Sequence, residues 1–142
     1  MTVRSPVVVI APNSFKGSVS ATAAAAAIAT GIRRVWPDAE LRLCPMADGG
    51  EGTLDAVLSA GGERRTARVS GAAGAPVDAA YGLIAKDTAI IESAQVVGLT
   101  DADATAHPVE RRSTRGLGEL IRILLDTGAR RLVAGLGGSS TN

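Results

Sequence analysis

Three glycine-bearing loops carry the residues whose types and spacing could do chemistry. Asn13-Ser-Phe-Lys-Gly-Ser18 offers a cation, Lys16, able to neutralise phosphate charge. Ala47-Asp-Gly-Gly-Glu-Gly-Thr53 offers carboxylates, and Asp48 could orient or deprotonate a hydroxyl or hold Mg²⁺. The local alternative is that Asp48 caps a helix and Glu51 completes a capping box, although a cap does not call for two consecutive glycines. Gly49 and Gly50 remove side chains where a backbone can approach an anion, and glycine serves turns equally well. Gly135-Leu-Gly-Gly-Ser-Ser-Thr-Asn142 is the fullest of the three. Its backbone N–H groups and the hydroxyls of Ser139, Ser140 and Thr141 suit a phosphate cradle; the alternative is a flexible linker.

These loops need elements to position them. Pro6–Ala11 is a short β-branched run that reads as a strand buried on both faces. A helix follows over Ala21–Val35, with Ile28, Ile32 and Val35 on one face and Pro37 as its stop. Glu40–Cys44 alternates as a second strand, and a second helix runs over Glu51–Ala60 to the Gly61-Gly62 pair. Strand, helix, strand, helix is the pattern of a parallel sheet with covering helices. The middle changes character: Arg64–Ser70, Val77–Ala85 and Thr88–Glu92 are short strands, and Asp101–Pro108 is a loop without periodicity. Glu92, ending an apolar strand, is either exposed or turned into a crevice. A third helix spans Thr114–Thr127, with Leu117, Leu120, Ile121 and Leu124 on one face and Gly128 as C-cap. Arg131–Leu136 is the last strand.

The expected fold class is therefore α/β. A Rossmann- or flavodoxin-like parallel lobe would comprise residues 1–60 plus 110–142, interrupted by a β-rich or mixed unit over 62–108. If the strands that precede them are parallel, the three loops leave one carboxyl edge, where open α/β sheets bind ligands.

Composition narrows the function. The 142 residues suit one domain with a core, and 15 basic residues against 14 acidic ones argue against binding to nucleic acid or membrane by bulk charge. One cysteine, Cys44, excludes a disulfide framework and reads as a small core residue; one histidine, His107, argues against a metal cluster or a Ser/His/Asp triad. Arg111, Arg112, Arg130 and Arg131 read as solvated charge flanking the third helix. The apolar run Ala23–Ala29 is far below the roughly 18 residues of a membrane helix, so the cytoplasm is the expected compartment. Walker, dinucleotide, protein-kinase and nucleophile-elbow motifs are absent.

At these residues the sequence resembles the bacterial glycerate kinases. Four blocks carry the resemblance in order: Ala11-Pro-Asn-Ser-Phe-Lys-Gly-Ser18, Met46-Ala-Asp-Gly-Gly-Glu-Gly-Thr53, Ser113-Thr-Arg-Gly-Leu-Gly-Glu-Leu-Ile121 and Gly135–Asn142. Asn13 stands where that family usually has Asp. Family members are more than twice as long, so the resemblance covers an N-terminal portion, and the chain reads as truncated inside a site loop. It implies phosphoryl transfer from Mg-ATP to a hydroxyl of D-glycerate, with 2-phosphoglycerate the favoured product. Implied catalytic residues are Lys16, Asp48 and Glu51, with Asp48 also a metal ligand. Implied binding residues are Asn13, Ser14, Gly49, Gly50, Gly52, Gly137, Gly138, Ser139, Ser140, Thr141 and Asn142, with Arg115 pairing the glycerate carboxylate. Implied partners are a second copy in a homo-oligomer or the missing C-terminal half, which a separate chain would supply. The alternatives are a non-catalytic phosphate- or nucleotide-binding remnant and a subunit active only with the missing portion.

Overall fold

The computed structural model describes residues 5–141. They form two compact units, one ending at Ala47 and one beginning at Asp48.

The first unit is a βαβ crossover. Strand β1 (Val7–Ile10) pairs in parallel with β2 (Glu40–Leu43), in a register that runs from Val7↔Glu40 to Ile10↔Leu43. Helix α1 (Ala21–Val35) connects them and is capped by Ser20, whose hydroxyl accepts from the Ala23 amide. Its packed face differs from the expected one. Ala21, Ala24, Ala25 and Ala29 are buried, whereas Ile28 and Val35 are exposed; of the expected stripe only Ile32 packs on the core, against Ile10. Small alanines let the helix lie close to the strands, which turns the bulkier row outward. β1 is likewise not buried on both faces, since Val7 and Val9 are more than half exposed, and Cys44 is exposed rather than in the core.

The second unit is built on a four-stranded sheet in the order β3-β4-β5-β6. β3 (Glu63–Ser70), β4 (Pro76–Ala85) and β5 (Thr88–Glu92) are antiparallel neighbours, and β6 (Arg131–Gly135) joins β5 in parallel. The strand–helix pattern groups this last strand with the first two, but its hydrogen bonds run to β5. Alternation along β4 and β5 serves two cores. Ala79, Tyr81, Ala89 and Ile91 face helices α3 (Ala94–Val97) and α5 (Arg115–Asp126), meeting Val96, Val97, Leu120 and Leu124. Ala80 and Ile90 face helix α2 (Thr53–Leu58) and its Leu54. Gly82 makes that approach possible, because a Cβ there would lie 2.9 Å from Leu58 Cδ2 and 2.8 Å from Ile90 Cγ2.

The long β5–β6 connection holds three α-helices and a 3₁₀ turn over Val109–Arg111. α5 ends as expected: Gly128 has φ +102°, the Ala129 amide donates to Leu124 O at 3.0 Å and the Gly128 amide to Leu125 O at 3.1 Å. This is a Schellman motif. The segment 101–108 is not a plain loop, because Ala102–Ala106 forms helix α4, capped by the Asp101 carboxylate accepting from the Asp103 and Ala104 amides. A single turn is too short to show a hydrophobic period. Among the described residues no helix is long and apolar enough to cross a membrane.

Candidate functional site

The two glycine loops of the second unit are a single construction. β5 and β6 end together, with Glu92 opposite Gly135 in a parallel pair, so the chain leaves both strands at one carboxyl edge. There the Gly137 amide donates to the Gly49 carbonyl at 2.8 Å, joining the Asp48–Gly52 loop to the Gly135–Thr141 loop backbone to backbone. A Cβ on Gly137 would lie 2.7 Å from both Cα and N of Gly50, and one on Gly135 would lie 2.7 Å from the Gly49 carbonyl oxygen. These two glycines are thus required by the approach of one loop to the other. Gly49 and Gly52 have φ of +95° and +91°, and Gly138 has φ +71°, conformations that favour glycine for a second reason.

Both loops are fastened from β5. The Glu92 carboxylate is fully buried and accepts from the Gly52 amide at 3.2 Å and the Leu54 amide at 3.0 Å. Neither reading of Glu92 holds, because it is buried against the backbone amides of Gly52 and Leu54 rather than exposed or turned into a crevice. It also takes the place of the capping box that was the local alternative for Asp48 and Glu51. Gly52 is the N-cap of α2 and supplies no side chain, while Asp48 Oδ1 accepts from the Gly50 amide at 3.2 Å within its own turn. Ser93 donates its amide to Gly135 O at 2.8 Å and its hydroxyl to Gly137 O at 3.2 Å.

The Gly135–Thr141 loop is closed from the far side by Arg112. That guanidinium donates to Ser140 O at 2.8 Å, to His107 O at 2.8 and 2.9 Å, and to Thr105 O at 3.3 Å. Expected as solvated charge, Arg112 is a half-buried clamp. The Ser140 amide donates to Val97 O at 2.7 Å, and the Ser139 hydroxyl is engaged with Thr141. Ser140 Oγ is buried with no hydrogen-bond partner among the described residues.

Not every loop amide is open to a ligand. Those of Gly50, Gly52 and Gly137 already donate within the protein, whereas those of Glu51, Gly138 and Ser139 donate in none of the described hydrogen bonds. The last group lies close together, since a Cβ on Gly138 would be 3.9 Å from the Glu51 nitrogen. Asp48 and Glu51 are exposed. Arg115 is ion-paired with Glu119 at 2.9 Å, and Glu119 in turn accepts from the Ser70 amide at 2.8 Å and the Ser70 hydroxyl at 3.2 Å. The Ser70 amide and hydroxyl foremost, with Arg115 adding to them, hold the Glu119 carboxyl below the usual carboxylate range. Asn142 lies outside the described residues.

In the first unit the parallel strands also end together, and the Met46 amide donates to Pro12 O at 2.9 Å. The Asn13–Ser18 segment is a tight turn, with Phe15 and Val19 bridged and Gly17 at φ +71°. Lys16 is exposed near its tip, and Asn13 Oδ1 accepts from the Ser14 amide at 2.7 Å. Groups of three or more His, Cys, Asp or Glu able to hold a metal are absent among the described residues.

The glycerate kinase family model matches residues 8–142, and so includes all four loop and helix motifs. The chain belongs to the glycerate kinase family. It is 46% identical to a glycerate kinase of Halalkalibacterium halodurans and 43% identical to a glycerate 2-kinase of Escherichia coli K12. Each likeness covers 95% of this chain and 36% of the relative. A crystal structure from Salmonella typhimurium LT2, assigned as a glycerate kinase 2, superposes with a TM-score of 0.80 at 41% identity over 98% of this chain and 38% of its own. The mixed α/β fold is thus that of the family, and the chain spans about a third of the length of these relatives. Glu92, Ser93 and Arg112 are the working residues that sequence reasoning did not place. Their bonds to the two glycine loops reach 28 to 44 residues along the chain, a separation that no local spacing reveals.

Proposed function

We propose that this chain supplies part of the active site of an ATP-dependent kinase that phosphorylates a hydroxyl of D-glycerate, 2-phosphoglycerate being the favoured product. The observation that carries the reading is the hydrogen-bonded junction of two glycine loops at the carboxyl ends of β5 and β6, where parallel strands commonly present ligand-binding loops. Phosphoryl transfer asks little covalent chemistry of a protein and much alignment and charge neutralisation. The adjacent Glu51, Gly138 and Ser139 amides suit an anionic oxygen, of the transferred phosphoryl group or of the glycerate carboxylate.

Asp48, exposed in the same junction, would orient or deprotonate the acceptor hydroxyl, with Glu51 as its alternative. Lys16, in the first unit, would contact phosphate. Mg²⁺ is commonly held by one or two carboxylates together with phosphate oxygens. Asp48 would be its ligand, and the ion would draw charge from the phosphate oxygens. A soluble, cytoplasmic enzyme completed by further polypeptide accords with this assignment. Arg115, with a side chain 79% exposed and paired to Glu119 on the next turn of α5, would pair with the glycerate carboxylate.

The test is ADP release with D-glycerate by a polypeptide carrying this chain at the full length of its relatives. Lys16→Ala and Asp48→Asn should each reduce turnover by about a hundredfold or more if they act in the transition state. Turnover near the unsubstituted level in both variants would refute the assignments.

A further inference from the structure

We infer that Glu92 and Ser93 form one anchor that holds the two glycine loops in register with each other, Glu92 acting as a positioning residue for the site proposed above. The pair sits where β5 ends, and consecutive residues reach opposite ways. Glu92 takes the amides of Gly52 and Leu54, 40 and 38 residues earlier in the chain. Ser93 gives its amide and hydroxyl to the carbonyls of Gly135 and Gly137, the hydroxyl bond spanning 44 residues. The Gly137–Gly49 hydrogen bond then closes a ring that passes through both loops and the end of β5.

The chemistry asks for a carboxylate at position 92. Each oxygen faces an N–H donor, so the carboxamide of glutamine would set an NH₂ group against one of those amides and leave a buried donor unpaired. Glu92 is fully buried, takes part in none of the described ion pairs, and has both oxygens committed to backbone. It therefore acts through the loop it holds and does not touch substrate. Asp48 and Glu51 lie in the turn directly before the amides it binds, so their placement depends on it.

This inference rests on the kinase reading only for its effect on turnover, and the experiment separates the two. In the full-length polypeptide, Glu92→Gln and Ser93→Ala are compared with the unsubstituted protein by amide hydrogen exchange and by kinetics. Glu92→Gln should speed exchange at Gly52 and Leu54 about tenfold, as an unpaired buried donor implies, while the amides of α5 keep their protection. kcat should fall about tenfold, with the KM for glycerate changing much less, because the groups displaced act on the reacting hydroxyl. Ser93→Ala should speed exchange in the 135–141 loop and lower kcat to a smaller extent; it carries the test alone if Glu92→Gln does not fold. Accelerated exchange confined to the loops, in a polypeptide without kinase activity, upholds the anchor and overturns the kinase reading. Unchanged loop exchange, unchanged kcat in an active enzyme, or equal acceleration throughout α5 overturns the anchor.

Discussion

Gly137→Ala separates two reasons for a glycine in a loop of this kind. If Gly137 is there to let a ligand approach the backbone, an added methyl group costs binding and leaves stability alone. The structure gives it another task. The new Cβ would stand 2.7 Å from Cα and N of Gly50 and 3.1 Å from the Gly49 carbonyl carbon, all backbone atoms. Carbon atoms pack comfortably at about 3.5–4.0 Å, so the loops must part by roughly an ångström. Overpacking of this kind costs about 1–3 kcal/mol, and stretching the 2.8 Å Gly137–Gly49 hydrogen bond adds about 1 kcal/mol. A loss of about 2–4 kcal/mol is expected, read from the urea midpoint by far-UV circular dichroism and assigned to 49–54 and 135–141 by amide exchange. Gly118→Ala is the control: the position is helical, nothing lies within 4 Å of its Cβ, and the substitution should stabilise by about 0.5–1 kcal/mol. A Gly137→Ala protein with an unchanged midpoint and weakened nucleotide binding would refute the packing argument.

Two further outcomes follow from the same contacts. Arg112→Ala should cost about 1–3 kcal/mol through loss of its bonds to the Ser140, His107 and Thr105 carbonyls, and Arg112→Lys should recover little because an ammonium cannot reproduce the fork; a change within about 0.5 kcal/mol in the urea midpoint analysis would return Arg112 to the status of solvated charge. For Glu119 the folded protein holds the carboxyl below its ordinary range, so the unfolded chain binds its proton first. Its stabilising contribution is complete above the usual value of about 4.3 and disappears as the pH falls through the lowered folded value. Urea midpoints followed downward from pH 7 should therefore drop more steeply in the unsubstituted protein than in Glu119→Gln, and parallel curves would contradict the assignment.

The elements most legible in the sequence were those specified by neighbours. α1 carries Ser20 before it and Pro37 after it, and α5 shows both its apolar stripe and Gly128, so their limits differ from expectation by at most a residue or so. β3, β4 and β5 were readable as short segments punctuated by Gly71, Gly74, Pro76 and Lys86-Asp87. Which face of α1 is buried was not, because a row of alanines competes with Ile28 and Val35 and close approach decides the outcome. The same limit applies to the site. Asp48, the paired glycines and the last loop stand out locally, yet their junction rests on Glu92, Ser93 and Arg112, whose roles depend on the register of β5 with β6. Strand pairing is a property of distant segments, and placing β6 beside β5 rather than with β1 and β2 required the structure.

The cap on α2 shows why a distant carboxylate is needed where the local alternative was a cap from Asp48. The residue at the helix start has φ +91°, a conformation that serine, threonine or aspartate would enter only with strain, so the usual capping side chains are disfavoured at position 52. The turn that produces this φ also brings Gly49 and Gly50 against Gly135 and Gly137, and relaxing it toward an ordinary N-cap would undo that contact. The first amides of α2 must then find an acceptor elsewhere, or be left unpaired in a region where Leu54 is fully buried. Glu92 supplies both oxygens from the adjoining strand end. The geometry that lets the loops meet thus removes the local cap, and the replacement cap ties the loop to the sheet that carries its partner.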